Sequence, residues 1–584
     1  MKILEIFKKY KLHLKNIIFS LITYVALLIY FNFLFTSSSY DILITLMYFL
    51  VLLFYYKIEI AEDKKTKIFA YVLSLIISSL LAIGNVVYPV VYSGAVSIFN
   101  LKNTISTLVC ILGLFLMFSR LFSLLFSNLH KVKIFEKERN NKNVRLFLII
   151  LFTILICWIP YFLRFYPAIM TPDSYYVIHY SNSKILSDFH TFGHTWFFGI
   201  FFLLGKFLFS NMNMAVAFSI AIQMLIMASI FSYAIVYLYK KGLKKHLLVL
   251  FTAIYALSPL HAHYSITLWR DIIFGGAFVL LYISILKMVS NNENSNKSPI
   301  VLLIISLLFI LFFRNNGIYI CVLLLPFLLL SKLNGKRIII PIYIFILLFY
   351  FIVKGPIFDY FNIQKSTTKE AFSIPLQQLT RTVAIGKEID EESKQYISEI
   401  MDYDMISEKY NSATSDPIKT LTNNDKLSES KGKFFKVWIK NLFKYPKVYI
   451  EAYLTETLGY WYPNTQYWAT GGESNSIFDD VDVYSSPITS KSFNTIIDNT
   501  TSRQIPFCNL IWSIGTTTFI LIISTFIFAY NNNFKHLVCY MPLYLLLLSI
   551  LLSTPVFCEL RYVYGIFTCV PLLLTVPFMK IKEN

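Results

Sequence analysis

Long hydrophobic runs separated by short polar loops recur along most of this chain. A helix needs roughly 20 apolar residues to cross about 30 Å of bilayer hydrocarbon, and many of the runs approach that length. The pattern therefore predicts an all-α polytopic membrane protein with about fourteen transmembrane helices. The predicted spans are residues 17–36, 41–56, 68–90, 104–128, 146–165, 213–239, 247–262, 271–289, 299–313, 317–331, 338–353, 509–530, 537–553 and 562–579.

The charges of the loops predict how these spans are oriented. Lys and Arg concentrate in cytoplasmic loops of membrane proteins, and basic loops such as 130–145 and 240–246 alternate with the spans as that rule requires. Both termini are then cytoplasmic and the plasma membrane is the expected location. Residues 195–209 are also hydrophobic, but a crossing there would move loop 240–246 to the outside. We therefore expect 195–209 to form a helix that lies along the outer interface.

One polar segment, residues 354–508, interrupts the hydrophobic pattern. It holds 20 of the 33 acidic and 17 of the 52 basic residues, a net charge of −3, whereas the rest of the chain carries +22. Its 155 residues suffice for a domain, and we predict a mostly helical extracytoplasmic domain. The predicted organisation is N-terminal transmembrane helices (1–144), a transmembrane core (145–353) with its first outer loop at 166–212, the extracytoplasmic domain (354–508) and C-terminal transmembrane helices (509–584).

The overall composition agrees with this class of protein. Apolar residues make up 56% of the 584 residues and charged residues only 15%, which is too few charges for the surface of a soluble protein. The formal net charge of +19 is explained by the basic cytoplasmic loops. Membrane lipids are therefore expected partners, and nucleic acid is not.

Compact polar motifs cluster at the predicted outer ends of the spans. The motifs are TPDS (171–174), DFHTFGH (188–194), LHAHYSITLWRD (260–271), FRNNG (313–317) and CELRY (558–562). Ionisable groups at a membrane boundary are energetically costly and usually functional. The number of these motifs on one side, more than any single one, predicts a reaction site at the outer face.

The motifs contain the groups needed for transfer from a lipid-phosphate donor. Asp173, which follows a proline, can accept the proton of a hydroxyl nucleophile and is the predicted general base. Arginine matches the oxygens of phosphate, and the predicted donor-phosphate ligands are Arg270, Arg314, Arg381 and Arg561. The residues expected to position the loop or the acceptor are Asp188, His190, His194, Asp271, Asn315, Asn316, Gln378, Tyr460, Trp461 and Glu559.

Each of these motifs also has a purely structural interpretation. Asp173 could cap a short helix, Arg270 and Asp271 could form an ion pair, and Arg561 could pair with Glu559. A divalent-metal site is a further alternative, although histidines at i and i+2 are a weak metal signal. Its ligands would be His190, His194, His261 and His263, with a neighbouring aspartate.

Through these motifs the chain resembles bacterial multispanning proteins grouped with GT-C-type membrane glycosyltransferases. The matching pieces are TPDS at 171–174, DFHTFGHTW at 188–196, ITLWRDIIF at 266–274, FRNNGIY at 313–319, PLQQLTRTV at 375–383, GYWYP at 459–463 and ELRYVY at 559–564. The resemblance implies a GT-C-like core with a catalytic carboxylate in its first outer loop, which corresponds to Asp173. It also implies a juxtamembrane helix, which corresponds to 195–209.

The resemblance further implies an inverting transfer of a sugar from a polyprenyl-phosphate donor to an extracytoplasmic glycan or lipid. A cell-surface glycan or cell-wall polymer is the expected class of acceptor. The chain departs from the family pattern at residues 189–191, which are Phe-His-Thr in place of His-His-Pro, and at Arg270, which replaces Lys. Two other functions stay open, a surface polysaccharide polymerase and a lipid-linked glycan flippase or other transporter. Transporters usually place polar residues near the membrane centre, whereas the acids here lie at span ends.

Overall fold

The structure, a computed structural model, describes residues 2–31, 41–61, 63–93, 97–139, 143–290, 297–463, 465, 476, 478–500, 511–532 and 534–579. Within these ranges the secondary structure is helical, with a few isolated bridge pairs and no β-strand. The predicted all-α fold class is therefore confirmed.

The first fourteen helices extend as far as residue 352. They are α1 (Lys2–Tyr30), α2 (Asp41–Lys57), α3 (Lys64–Ser93), α4 (Leu101–Asn128), α5 (Val144–Arg164), α6 (Pro172–Asn182), α7 (Phe192–Phe209), α8 (Met212–Lys240), α9 (Lys245–Leu257), α10 (Pro259–Ser265), α11 (Arg270–Val289), α12 (Ser298–Phe313), α13 (Gly317–Leu330) and α14 (Lys336–Ile352). A single π-helical stretch, Val353–Ile357, continues directly from α14.

The remaining helices are mostly shorter. They are α15 (Phe358–Tyr360), α16 (Thr368–Ala371), α17 (Ser373–Ala384), α18 (Glu391–Ile400), α19 (Ile406–Lys409), α20 (Asp416–Leu421), α21 (Asn424–Glu429), α22 (Lys431–Lys444), α23 (Pro446–Thr457), α24 (Lys491–Asn499), α25 (Ile514–Asn531), α26 (Met541–Ser553), α27 (Tyr564–Thr568) and α28 (Val570–Thr575).

Local sequence sets many of the helix ends. The side chain of Asn100 accepts a hydrogen bond from the backbone N–H of Asn103 at the start of α4, and Asn211 does the same for Met214 at the start of α8. Such caps satisfy backbone donors that have no partner within the helix. Pro446 occupies the first position of α23, where its missing N–H costs no hydrogen bond.

Nine helical stretches of the described chain are long and apolar enough to cross a membrane. They are Lys64–Tyr92, Leu101–Lys131, Val144–Arg164, Phe192–Phe209, Met212–Lys240, Arg270–Val289, Lys336–Tyr360, Ile514–Asn531 and Phe534–Ser553. Two bent pairs, α9 with α10 at 50° and Leu560–Thr568 with Val570–Phe578 at 46°, qualify as broken spans. The chain is therefore a polytopic membrane protein. Because α7 also meets these criteria, its interfacial position stays a prediction.

Contacts between residues divide the chain into two compact units, each discontinuous in sequence. Unit one takes residues from 1–133, 371–465 and 554–558, and unit two from 134–370, 466–553 and 559–584. This division separates residues 354–508, which the sequence analysis treats as one domain. The later part of that segment belongs to unit two because it is tied to α5 and α6 by two ion pairs, Arg164–Asp498 at 3.0 Å and His179–Asp480 at 2.6 Å.

In unit one, helices α1 to α4 pack around buried polar contacts. The hydroxyls of Thr23 and Tyr55 are hydrogen-bonded at 2.6 Å, and Thr23 also donates to the carbonyl of Gly113 at 3.0 Å. Arg120 donates to Asn16 Oδ1 at 3.0 Å. Polar groups are costly to bury unless they are hydrogen-bonded, so these contacts specify how α1, α2 and α4 pack together.

The helices α17 to α23 of unit one enclose a hydrophobic core of their own. Its members include Leu376, Leu379, Tyr396, Ile397, Ile418, Leu427, Phe434 and Val437. Exposed ion pairs join α18 to α22, among them Lys433–Glu399 at 2.8 Å and Lys440–Asp390 at 2.9 Å. Because exposed pairs contribute little stability, the buried core is what holds these helices together.

Helix α11 forms the centre of unit two. Every residue from Asp271 to Val289 is buried, and α11 packs against α8, α12 and α27. Gly275 permits the close approach of α11 to α27, because a Cβ at this position would lie 2.6 Å from Cδ1 of Tyr564. Since α11 begins at Arg270, this buried helix also fixes the position of the LWRD motif.

Candidate functional site

Asp173 lies in the first turn of α6, but it is not the cap of that helix. Thr171 is the N-cap, and its side chain and that of Ser174 form a reciprocal capping box, with Pro172 at the first helical position. The capping requirement of α6 is therefore met without Asp173. The carboxylate of Asp173 is 36% exposed and is available for other contacts.

The TPDS turn is attached to the ITLWRD segment by direct hydrogen bonds. The backbone N–H of Ile169 donates to the carbonyl of Ile266 at 3.0 Å. Trp269 Nε1 donates to Thr171 Oγ1 at 2.9 Å, and Ser174 Oγ donates to the carbonyl of Leu268 at 3.0 Å. These contacts bring two distant motifs together and place Asp173 beside the start of α11.

Arg561 links two of the acidic residues of the site. Its NH1 group donates to Asp173 Oδ2 at 2.7 Å, and its Nε lies 3.4 Å from Glu559 Oε1. The guanidinium also lies over the ring of Trp269, 5.0 Å from the centroid. The Arg561–Glu559 pair that the sequence offered as an alternative is therefore present, and it belongs to a larger cluster that includes Asp173.

The charges around Asp173 determine its protonation state. Burial alone would raise the pKa of its carboxyl, but the positive charges of Arg561 and Arg270 outweigh burial and hold that pKa well below its usual range. His190 Nδ1 lies 3.9 Å from Asp173 Oδ1. Burial lowers the pKa of His190 to about 4, although Asp173 opposes the shift. At neutral pH the site therefore pairs an ionised Asp173 with a neutral His190.

His190 is held by ring contacts with α6. Its imidazole stacks on Tyr176 at 4.7 Å between centroids, and the rings of Phe478 and Tyr176 form a T-shaped pair at 4.8 Å. The loop that leads into α7 turns at Thr191, whose φ of 61° lies in the left-handed region. Proline cannot adopt that angle, so the Phe-His-Thr sequence of this chain permits a loop conformation that His-His-Pro would not.

A second ion pair joins Arg314 to Asp271. Arg314, at the end of α12, is in contact with Asp271 in the first turn of α11, and the two side chains are only 12% and 1% exposed. The ring of Tyr562 lies between the two arginines, 4.6 Å from Arg314 and 5.2 Å from Arg561. The alternative of an ion pair between the neighbours Arg270 and Asp271 is not what the structure shows, since Asp271 pairs with Arg314.

A third ion pair involves Lys354, which the sequence analysis did not select. Its ammonium contacts Asp188 and lies 3.3 Å from Asn315 Oδ1. Asp188 also accepts a hydrogen bond from the backbone N–H of Phe192 at 2.9 Å, at the start of α7. Lys354 lies directly after the hydrophobic run of α14, and this position at the end of a predicted span is the feature of the sequence that could have identified it.

Arg270 differs from the other cations of the site. Its NH1 group donates to the carbonyl of Phe189 at 3.4 Å, and within the described residues no acidic side chain pairs with it. Its charge nevertheless acts on Asp173, His190 and His194. Arg270 is therefore the cation of this cluster whose charge is not neutralised by an ion pair within the described residues.

The other predicted residues of unit two make structural contacts. Asn316 Nδ2 donates to Ser549 Oγ at 3.0 Å, and the buried ring of His194 meets Phe313 at 5.6 Å. His261 is hydrogen-bonded to the hydroxyl of Tyr564, and His263 is hydrogen-bonded to the hydroxyl of Thr500. No group of three or more His, Cys, Asp or Glu side chains among the described residues could hold a metal ion, so the four histidines do not converge on a shared site.

The predicted site residues of unit one are buried in its core. The guanidinium of Arg381 is 1% exposed and lies 3.3 Å from Glu451 Oε2. The remaining three are also engaged within the unit. Gln378 accepts a hydrogen bond from Trp438 and donates one to the carbonyl of Tyr449. The hydroxyl of Tyr460 is hydrogen-bonded to Thr554 and Val556. Trp461 donates a hydrogen bond to Thr457. These contacts account for Arg381, Gln378, Tyr460 and Trp461 as packing residues of unit one, and their predicted roles in a reaction stay predictions.

A groove with a volume of about 180 Å³ opens between the end of α6 and the side of α7. Its lining is mostly apolar and includes Tyr180, Ile185, Phe192, Trp196, Ile200 and Leu203. The loop that carries Asp188 and His190 connects the two helices, so the groove lies next to the charged cluster.

Raising the pH is expected to destabilise the protein relative to a Glu559→Gln variant. Burial raises the pKa of Glu559 to about 7 from an ordinary value of 4.5, although Arg561 opposes the shift. Between these pH values the folded protein keeps a proton that the unfolded chain has released. The free energy of unfolding should therefore fall by up to about 1.4 kcal/mol per pH unit as the pH rises through this window. Thermal unfolding of both proteins in detergent across this range measures the difference, and parallel curves would contradict it.

The fold and this cluster define a class, an all-α multi-span membrane protein with paired charges gathered where several of its helices begin or end. The sequence model of the Family of unknown function (DUF6020) matches residues 30–583, and the chain belongs to this family. No curated protein and no solved structure matches the chain.

Proposed function

We propose that this protein is a GT-C-like glycosyltransferase of the plasma membrane. It would transfer a sugar from a polyprenyl-phosphate donor to an extracytoplasmic acceptor, with a cell-surface glycan or cell-wall polymer as the acceptor class. The observation that carries the proposal is the juxtaposition of an ionised, partly exposed carboxylate, Asp173, with a cation that has no acidic partner in the described chain, Arg270. One group can take a proton and the other can bind a phosphate.

The reaction would proceed with inversion at the anomeric carbon. The acceptor oxygen forms a bond to that carbon while the bond from the carbon to the phosphate oxygen breaks, and polyprenyl phosphate leaves. The hydroxyl proton passes to Asp173, and Arg270 neutralises the charge that develops on the phosphate. Because its pKa is low, Asp173 is a weak base and would take the proton late, when bond formation has already acidified the hydroxyl.

The apolar groove beside the site supports a lipid-linked donor. An isoprenoid chain stays in a hydrocarbon environment while its phosphate is bound by charged groups, and the groove of α6 and α7 adjoins the charged cluster. In the proposed topology the chain crosses the membrane fourteen times, α7 lies along the outer interface and both termini are cytoplasmic. The clustered charges then lie at the outer face.

Liposomes that contain the purified full-length protein and a panel of labelled polyprenyl-phosphate sugars test the proposal. Release of polyprenyl phosphate with transfer of the sugar to a glycan or lipid acceptor is the expected result. Movement of intact donor across the bilayer without cleavage would identify a transporter instead. Extension of an existing glycan by whole repeat units, without transfer of single sugars, would identify a polymerase.

An Arg270→Gln variant is expected to lose about 10- to 100-fold in kcat/KM for the donor, because a hydrogen bond to a charged group contributes about 1.5–3 kcal/mol. Lys491→Gln is the matched control, since Lys491 is an exposed cation of the same unit that lies outside both the charged cluster and the groove. Equal losses of kcat/KM in the two variants would mean that Arg270 acts only through the overall positive charge of the protein and makes no direct contact with the donor phosphate. Donor titrations in the liposome assay measure both values.

A further inference from the structure

Helix α22 carries an apolar stripe that the described part of the chain covers only in part. Phe435, Ile439 and Phe443 recur every four residues and are 41%, 45% and 81% exposed. A different face of α22, which includes Phe434 and Val437, is buried in the core of unit one. The helix is thus hydrophobic on two faces, and the exposed face is too apolar to be left in water without a partner.

Lysines lie at both ends of this stripe. Lys431 begins α22, Lys444 ends it, and Lys447 follows, and all three are exposed. No acidic side chain of the described residues pairs with them, whereas Lys433 and Lys440 on the neighbouring face are paired with acids of α18. Lys444 donates to the backbone carbonyl of Glu388 at 2.9 Å, but no acidic side chain neutralises its charge. A helix with large apolar residues on one face and such lysines beside them has the pattern of helices that lie on anionic lipid surfaces.

The stripe also lies close to the ends of membrane spans within the same unit. Helix α23 follows α22 after a single residue, and Glu451 of α23 accepts hydrogen bonds from Ser97 Oγ at 2.6 Å and the backbone N–H of Ile98 at 2.9 Å. Ser97 and Ile98 lie between the spans α3 and α4, at the ends remote from Lys64 and Lys131. The C-terminal end of α22, which contains Phe443, is therefore held near a membrane boundary.

We propose that α22 is an interfacial helix, with Phe435, Ile439 and Phe443 inserted among acyl chains and its terminal lysines in contact with anionic headgroups. The partner is a lipid surface, because a bilayer already surrounds the spans of this unit and because lysines without an acidic partner among the described residues complement anionic lipid. This inference is independent of the reaction proposed above.

Site-directed spin labelling of the full-length protein tests the position of α22. A nitroxide is attached to a Phe443→Cys variant, with Lys433→Cys on the neighbouring lysine face, where the side chain is 47% exposed, as the matched control. Cys157 and Cys508 are first replaced by Ser, and the other cysteines are buried. Both proteins are reconstituted in vesicles of phosphatidylethanolamine and phosphatidylglycerol, and the collision rates of the label with oxygen and with a water-soluble nickel chelate are measured.

The label at position 443 is expected to favour oxygen and to lie about 5–10 Å below the headgroups, whereas the label at 433 favours the nickel chelate. A label at 443 that is as accessible to nickel as the control would overturn the proposal. Shielding of that label from both reagents would also overturn it, because the stripe would then be covered by protein, either a second copy or another partner.

The contribution of the lysines is measured separately. In the presence of the 443 label, joint replacement of Lys431, Lys444 and Lys447 by Gln is expected to move the label towards water in phosphatidylglycerol vesicles and to have less effect in uncharged vesicles. An unchanged depth in both kinds of vesicle would show that the headgroups are not recognised through charge.

Discussion

Replacement of Asp173 by Asn is expected to lower the rate of sugar transfer by a factor of about 10²–10⁴ while the protein stays folded. The amide keeps the size of the side chain, and α6 does not need the carboxylate because Thr171 caps it. What the variant lacks is the negative charge that accepts the proton and pairs with Arg561 at 2.7 Å. Initial rates of polyprenyl-phosphate release from the labelled donor measure the loss.

Asp480→Asn is the matched control for this variant. Asp480 also pairs with a histidine of unit two, His179 at 2.6 Å, but that histidine is near the C-terminal end of α6, whereas Asp173 lies in its first turn. The control variant should transfer sugar at a rate close to wild type. Wild-type activity in Asp173→Asn would exclude Asp173 as the base. Loss of donor binding in that variant would instead assign Asp173 to the electrostatics of the binding site.

An Arg314→Met variant is expected to lose about 3–5 kcal/mol of unfolding free energy, the typical cost of removing one partner from a buried ion pair. Asp271 is only 1% exposed, so without Arg314 its charge would lie buried beside the first turn of α11. Methionine preserves much of the volume of the arginine stem and keeps the loss of packing small. Unfolding in detergent, followed by loss of helical signal, measures the change.

The double variant Arg314→Met with Asp271→Leu is the control for that experiment. Buried pairs replaced by apolar residues of similar volume often change stability little, so the double variant should be more stable than the single one. Both variants lose the contact of Arg314 with Tyr562 at 4.6 Å, so the difference isolates the unpaired carboxylate. A single variant as stable as the double one would mean that water reaches Asp271.

The helices were predictable because the signals that specify them are local. Runs of about 20 apolar residues, lysine-rich ends and Asn or Pro at helix starts are all contained within short stretches of sequence. The same is true of the TPDS turn, where Thr171, Pro172 and Ser174 together specify the start of α6. The motifs that gather in unit two could therefore be selected before their arrangement was known.

The pairing of charges could not be predicted, because it depends on contacts between residues far apart in the chain. A pair between Asp271 and its neighbour Arg270 was one alternative that the sequence left open, but successive residues of a helix point in different directions. Asp271 instead contacts Arg314, and Asp173 contacts Arg561. Lys354 was missed for the same reason, since its partner Asp188 precedes it by more than 150 residues.

The assignment of residues 371–465 to unit one also rests on long-range contacts. Glu451 accepts hydrogen bonds from Ser97 and Ile98, more than 350 residues earlier. No feature of the sequence near Arg381 indicates that its guanidinium is buried against Glu451. Arg381 was predicted as a phosphate ligand because it lies outside the predicted cytoplasmic loops, whereas its observed contacts belong to the core of unit one.

The complete burial of α11 has a consequence for how the protein responds to its membrane. Helices that face lipid must tilt, kink or stretch when the hydrocarbon thickness changes. In α11 the residues from Asp271 to Val289 are all buried, so its neighbours, not lipid, determine its tilt. Arg270 and Asp271 are carried on this helix, so hydrophobic mismatch does not act on them through lipid contacts of their own helix. These two residues are therefore expected to keep their positions in bilayers of different thickness.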